Sequence, residues 1–336
     1  MRVGLLAYGA IGHEHNQAIA SLPDWELTAV CDVNPERIAA AQQIAPAVQG
    51  FSDASTMLDS GEIDLVVIST PPNTHYEWAG EALRRGINVV LEKPMALTAT
   101  QCDDLLGQAE QLGLTLVVYQ NRRFDRDYVT MRRLIRDGEI GELFSYEGFV
   151  GGYGRPCDYW HSDAAISGGA IFDWGSHYID QMLDLMGTDI AHVTAANHKR
   201  HWHHVTNADH AEVTITYTDG RQARFINSDL AAVRKPKFLA LGTLGAIVGE
   251  WDLAAEPAVA DLPAQIRLHV PGQAPRDIPL VDVPPFAFHR ELAAYLAIAA
   301  PMEVMPRQSR NVVSVMEAAE ASAAAGSIPV VPSMLP

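Results

Sequence analysis

Asp173, His177, Asp180 and Asp184 are spaced four, three and four residues apart. On a helix that spacing puts them on one face. Trp174, Tyr178, Ile179, Met182, Leu183 and Met186 cover much of the remaining circumference. A helix over Phe172–Met186, apolar except for one acidic and histidine stripe, predicts a polar cavity; the competing reading is a solvated face. Asp173 and His177 are i, i+4 partners. A carboxylate beside an imidazole orients it and raises its basicity, which makes a general base for a hydroxyl proton. A second reactive candidate is Lys93, in Glu92-Lys93-Pro94. Pro94 biases Lys93 toward extended backbone, so its ammonium projects from a strand end.

A third segment can hold a cofactor. Ala7-Tyr-Gly9-Ala10-Ile11-Gly12 follows an apolar run and opens a helical pattern. It matches the GxGxxG turn with Ala7 at the first glycine. Gly9 lets backbone approach a pyrophosphate, and Gly12 allows close helix–strand packing. The N-terminus of the next helix favours phosphate charge. Asp32 stands 20 residues beyond Gly12, where a carboxylate meets adenosine ribose hydroxyls and repels a 2′-phosphate. The expected cofactor is NAD, with NADP as the alternative because Arg37 is near. Further polar groups follow the third strand at Thr70, Asn73 and His75. Tyr153, Arg155 and Trp160, ahead of the acidic stripe, suit sugar contacts by stacking and hydrogen bonding.

These groups need elements to position them. Strands are expected at Arg2–Ala7, Leu27–Cys31, Leu65–Ser69, Asn88–Leu91 and Leu114–Tyr119. Helices at Gly12–Ser21, Pro35–Ile44, His75–Arg85 and Thr98–Leu112 alternate with them, Thr98 and Gln101 forming a capping box. That alternation predicts a parallel sheet covered on both faces. After residue 121 the pattern changes. A helix over Asp125–Arg136 precedes strands at Leu143–Val150, Ile190–His198, Ala211–Tyr217, Gln222–Asn227 and Phe238–Leu241, with a hairpin turn at Tyr217–Arg221. Residues 253–285 read as loops with an edge strand at Ile266–Val270. Helices over Phe286–Ala299 and Asn311–Ala325 follow. The expected fold is α/β: a dinucleotide-binding domain over 1–121 and a substrate-binding domain over 122–336 with a large, mainly antiparallel sheet. The last helices are candidates to pack back on the first domain.

The whole chain narrows the classes. It has 336 residues, 48% hydrophobic and 19% charged, as a two-domain globular protein requires. A net charge of −17 argues against nucleic-acid or membrane-surface partners. Cys31, Cys102 and Cys157 are odd in number and widely spaced, which fits a reducing cytoplasm. Histidines cluster at His198, His201, His203 and His204, but no cysteine accompanies them, and no metal site is expected.

The ordered motifs together resemble the glucose–fructose oxidoreductase/inositol dehydrogenase (Gfo/Idh/MocA) family. They are the near-GxGxxG turn, Thr70-Pro71-Pro-Asn73 with His75, Glu92-Lys93-Pro94, Asn121-Arg122-Arg-Phe124, and Gly168-Gly169 followed by Asp173, His177 and Asp180. The resemblance implies a Rossmann domain followed by an α/β domain with an open antiparallel sheet. It implies Lys93, Asp173 and His177 as catalytic positions. Cofactor contacts are expected at Ala7, Gly9, Ala10, Ile11, Gly12, Asp32, Thr70, Pro71, Asn73, His75, Glu92, Lys93 and Asn121. Substrate contacts are expected at Lys93, Arg122, Tyr153, Arg155, Trp160, Asp173 and His177. The implied reaction interconverts a secondary alcohol and a ketone on a sugar, glycoside or inositol, His177 taking the hydroxyl proton and Lys93 stabilising the oxygen. A non-catalytic sensor of the same fold and a reductase of non-sugar ketones or cyclic diols are the alternatives. A homodimer or homotetramer through the sheet is also implied. Ala170, where a third glycine is common, is expected to touch only a loop.

Overall fold

The computed structural model describes residues 1–256 and 262–336. The chain runs β1 (Arg2–Leu6), α1 (Ala10–Ala20), β2 (Glu26–Cys31), α2 (Pro35–Ile44), β3 (Gln49–Phe51), α3 (Ala54–Leu58), β4 (Leu65–Ile68), α4 (His75–Arg84), β5 (Asn88–Leu91), α5 (Ala99–Leu112) and β6 (Leu116–Val118). It continues through α6 (Arg126–Arg136), β7 (Leu143–Gly151), α7 (Ala164–Ser167), α8 (Ala170–Met186), β8 (Ile190–His198), β9 (His210–Tyr217), β10 (Gln222–Ser228), β11 (Phe238–Gly242) and β12 (Ala246–Glu250). It ends with β13 (Gln265–His269), β14 (Arg276–Ile278), α9 (Ala287–Ile298) and α10 (Pro306–Ala324). Two compact units result: Met1–Gln120 with Pro285–Arg310, and Asn121–Pro284 with Asn311–Pro336.

In the first unit, the described strands form one sheet in the order β3-β2-β1-β4-β5-β6, every pair parallel. Buried on both faces, β4 reads Leu-Val-Val-Ile with all four side chains covered, as such a sheet requires. Order reverses at β1, so the crevice beyond its carboxyl end is where a Rossmann sheet takes its ligand. Local chemistry sets the helix starts. Asn34 accepts the Glu36 N–H, ahead of Pro35 at the first helical position. Thr98 accepts the Gln101 N–H at 3.2 Å. Gln101 reaches back to the Leu97 N–H at 3.3 Å, one residue before the usual capping-box partner. Two short elements, β3 and α3, had no expectation. Three strand residues and five helical ones carry too little periodicity to register.

In the second unit, the sheet order is β14-β13-β12-β11-β7-β10-β9-β8. It is mostly antiparallel, but β7 and β10 pair in parallel. The β9–β10 hairpin closes where expected, and only Gly220 of the Asp-Gly pair has positive φ. The strand expected at the edge, β13, pairs with both β12 and β14; β14 is the edge instead. Within the loop-rich stretch 253–285, residues 257–261 lie outside the described residues. Helix α8 lies on β7, β9 and β10. Close approach depends on Gly148, where a Cβ would sit 2.4 Å from the Tyr178 ring. Gly168 and Gly169 both have positive φ and turn the chain from α7 into α8. Ala170 is the first residue of α8 and is buried, so the expectation that it touches only a loop is corrected. Helical φ there needs no glycine.

Candidate functional site

The turn after β1 carries the first part of the site. Gly9 is the N-cap of α1 and offers no side-chain cap; a Cβ on it would meet nothing within 4 Å. The first N–H groups of α1 therefore face open space that an anion fills well. A Cβ at Gly12 would stand 3.3 Å from both the Ala7 carbonyl and the Tyr8 ring, the tight packing its position predicts. Ala7 is a departure. Its φ is +72°, in the region that disfavours a Cβ. Small size is thus not the whole requirement at the first glycine position.

Asp32 follows β2 and is buried. Its Oδ2 accepts the Tyr8 N–H at 2.8 Å, and its Oδ1 accepts the Asn34 N–H at 2.8 Å. Arg37 stands 3.4 Å away, with its side chain half exposed. A carboxylate has about four lone-pair sites, so capacity for ribose hydroxyls remains. The open cradle at Gly9, the free helix N-terminus and this anchored carboxylate fit a dinucleotide.

Two residues expected to touch cofactor are buried. His75 is fully buried, with Nδ1 2.7 Å from the Pro94 carbonyl and Nε2 2.8 Å from the Thr70 carbonyl. Burial lowers its pKa, against the pull of both carbonyls, so the neutral ring serves one carbonyl at a time. It ties the Thr70 turn to the Lys93-Pro94 turn. Glu92 is also buried: Oε1 lies 3.0 Å from His15 Nε2, and Oε2 accepts the Lys93 N–H at 3.2 Å. His15 Nδ1 is in turn 2.9 Å from His289 Nε2. For His75, fully buried with a carbonyl at each ring nitrogen, direct cofactor contact is corrected to support of the Lys93 turn; the Glu92 carboxylate braces the same turn and, like that of Asp32, keeps acceptor capacity. Lys93 is half-buried, Thr70 and Pro71 are partly exposed, and Asn73 is exposed. The Thr74 hydroxyl bonds to Thr70 Oγ1 at 2.7 Å.

In the second unit, α8 divides the acidic stripe. Arg123 and Asp180 form a buried pair, with Arg123 Nη2 donating at 2.9 Å. Asp184 meets Arg123 at 3.3 Å and Arg132 at 3.1 Å. Asp180 and Asp184 are thus structural, and the expected four-residue polar stripe shortens to Asp173 and His177. His177 is 6% exposed. With Arg122, Trp174, Gln181, Lys237 and Phe238 it lines a narrow crevice. Arg122 lies over the Trp174 ring at 5.3 Å and bonds Asp125 at 3.2 Å. Asp173 is partly exposed, 3.9 Å from His161 Nδ1. The His161 ring stacks on Trp160 at 3.6 Å. Tyr153 is 59% exposed and neighbours Trp202 at 6.1 Å. Arg155 is exposed and paired with Asp158. Asn121 opens the short turn that carries Arg122 and Arg123.

The histidine cluster is a loop organised by Asp209, whose carboxylate accepts from Lys199 Nζ and the N–H groups of Arg200, His201 and Trp202. Burial opposes its ionisation, but these donors outweigh that and hold its carboxyl well below the usual range. His161 and Trp202 carried no site assignment from sequence. Only the fold brings His161 to Asp173 and Trp202 to Tyr153.

Comparison with known proteins agrees with this geometry. Residues 1–120 match the model of an oxidoreductase family with an NAD-binding Rossmann fold. Residues 128–248 match a Gfo/Idh/MocA C-terminal domain. A scyllo-inositol 2-dehydrogenase (NADP(+)) of Bacillus subtilis is 25% identical over 95% of this chain and 92% of its own. The Escherichia coli oxidoreductase YdgJ is 30% identical over 74% of this chain and 70% of its own. Among solved structures, the Bacillus subtilis oxidoreductase YvaA superposes with a TM-score of 0.87 at 24% identity, covering 99% of this chain and 98% of that one. The chain belongs to the Gfo/Idh/MocA family of NAD(P)-binding oxidoreductases.

Proposed function

We propose that the protein interconverts a secondary alcohol and a ketone on a neutral cyclic polyol or sugar, with Lys93, Asp173 and His177 as its catalytic residues. The observation that carries this reading is the environment of His177. A buried imidazole one helical turn from Asp173, in a crevice with Arg122 and Trp174, is built for proton transfer from a bound hydroxyl. The inositol dehydrogenase named above supports the substrate class.

His177 accepts the hydroxyl proton at a ring nitrogen as the C–H bond breaks. Lys93 donates a hydrogen bond to the same oxygen and stabilises the negative charge developing there. Asp173 orients the substrate or His177. Bound NAD(P)⁺ supplies the hydride acceptor. The Gly9–Gly12 turn holds its pyrophosphate and Asp32 its ribose, which favours NAD over NADP. Thr70, Pro71, Asn73 and Asn121 complete the cofactor contacts, and Arg122, Tyr153, Arg155 and Trp160 the substrate contacts.

The deciding assay is reduction of NAD⁺ and NADP⁺ against sugars, glycosides and inositols. Turnover of a polyol is expected, with loss of about 10²–10⁴ in rate for His177→Ala. Stoichiometric cofactor binding without turnover overturns the reading, and undiminished turnover by His177→Ala overturns its base.

Self-association through the second unit's sheet is part of the same proposal. The face turned away from α8 holds a cavity of about 400 Å³ lined by Phe149, Ile226 and Leu230, with Val233 at its rim 85% exposed. Light scattering is expected to give a dimer or tetramer, and Val233→Glu to weaken it.

A further inference from the structure

Strand β10 alternates its side chains between the two faces of its sheet. Phe225 faces α8 and stacks on Tyr178 at 5.5 Å. Asn227 faces the same way and donates from Nδ2 to the Ala170 carbonyl at 3.2 Å. Asp229 follows the last residue of β10, and Asp173, in the first turn of α8, is among the charges that act on it.

The backbone of Asp229 is held at both ends. Its N–H donates to the Asp209 carbonyl at 2.8 Å. Its own carbonyl accepts the Gly154 N–H at 3.2 Å and the Trp202 indole N–H at 3.3 Å. Such anchoring aims the side chain, yet no described side chain or backbone N–H donates to its carboxylate. Around it stand Trp202, Tyr153 and His201, with ring centroids 4.5 to 6.2 Å apart.

The charged groups that act on Asp229 come from two elements: Asp209 and Lys199 from the loop after β8, and Asp173 from α8. Burial and Asp209 raise its pKa, Lys199 opposes them, and Asp173 adds to the rise, to about 6. A carboxyl group held this way binds a hydrogen-bond donor better than it binds another anion.

We propose that Asp229 is a specificity-determining residue of the substrate site, accepting a hydrogen bond from a polyol hydroxyl other than the one oxidised. With Asp173 it selects neutral polyols over sugar acids and sugar phosphates, which two neighbouring carboxylates repel. The proposal rests on the polyol dehydrogenase reading given above.

The test is steady-state kinetics of the full chain and of Asp229→Asn from pH 5 to 8. It uses saturating NAD⁺ or NADP⁺, an inositol panel, and a uronic acid and a sugar phosphate as anionic competitors. Asp229→Asn keeps the shape and removes the titration. Its KM is expected to rise roughly 10–100-fold, as for a lost hydrogen bond to a charged group, with kcat within about threefold. The wild-type KM is expected to fall as pH rises through about 6, and the variant to lose that limb. Discrimination against the anionic competitors is expected to narrow. An unchanged KM, an equal loss confined to kcat, or a wild-type KM flat across pH 6 overturns the assignment. The last of these needs no variant to fold. Wild-type protein that turns over no polyol overturns the underlying reading and this proposal with it. A wild type that turns over inositols while Asp229→Asn matches it overturns Asp229 alone.

Discussion

Ala7 is where a residue type conflicts with its backbone. The turn demands positive φ and the chain places a Cβ there. Relieving that strain is worth about 1 kcal/mol. Ala7→Gly is therefore expected to raise the unfolding midpoint in denaturant, with cofactor affinity retained; an unchanged or lower midpoint contradicts the strain. His75 and Glu92 teach a different lesson. Both stand in motifs that suggest cofactor contact, and strand-end position was legible for each. Whether a polar side chain points toward a ligand or back into protein depends on partners far along the chain. Here these are Pro94 for His75 and His15 for Glu92.

At the scale of elements, α8 joins chemistry to packing. Its first half presents Asp173 and His177, and its second half is locked by the buried Arg123–Asp180 pair. Removing one partner of a buried pair costs about 3–5 kcal/mol when the other charge is left alone, but Asp184 still meets Arg123 at 3.3 Å. Asp180→Ala is expected to destabilise by less than that, about 1–3 kcal/mol, in urea melts. Replacing Arg123 and Asp180 together with apolar residues of similar volume is expected to recover much of the loss. If Asp180→Ala melts like wild type, the pair does not anchor the helix. Helical periodicity revealed that these four polar residues share a face. It could not show that two of them are tied up in ion pairs, because those pairs are made by Arg123 and Arg132 on other segments.

At the scale of the whole molecule, pH acts on buried ionisable groups. Burial, helped by the neighbouring His15, pushes the His289 pKa down to about 2. The unfolded chain binds a proton there below about pH 6.5, while the folded chain does not. Stability from this group is therefore present above pH 6.5 and is lost as pH falls. The expected loss is about 1–2 kcal/mol between pH 7.5 and pH 5. Denaturant midpoints at both pH values check it, and His289→Phe should flatten the difference. Asp229 acts with the opposite sign. Its folded pKa is raised, so its contribution is present at low pH and lost as pH rises through about 6. An Asp229→Asn variant should remove that component.

By itself, the sequence determined the alternation of strands and helices in the first unit, the glycine turn after the first strand, and the placement of Asp173 and His177 on one helix. These are local properties, set by side-chain period, turn chemistry and caps. Only the tertiary structure decided which polar groups are available for chemistry. Asp180, Asp184, His75 and Glu92 are occupied by partners, whereas the backbone bonds of Asp229 hold it where the charge of Asp173 acts on it. Burial and ion pairing depend on residues distant in the chain, and no local pattern encodes that distance.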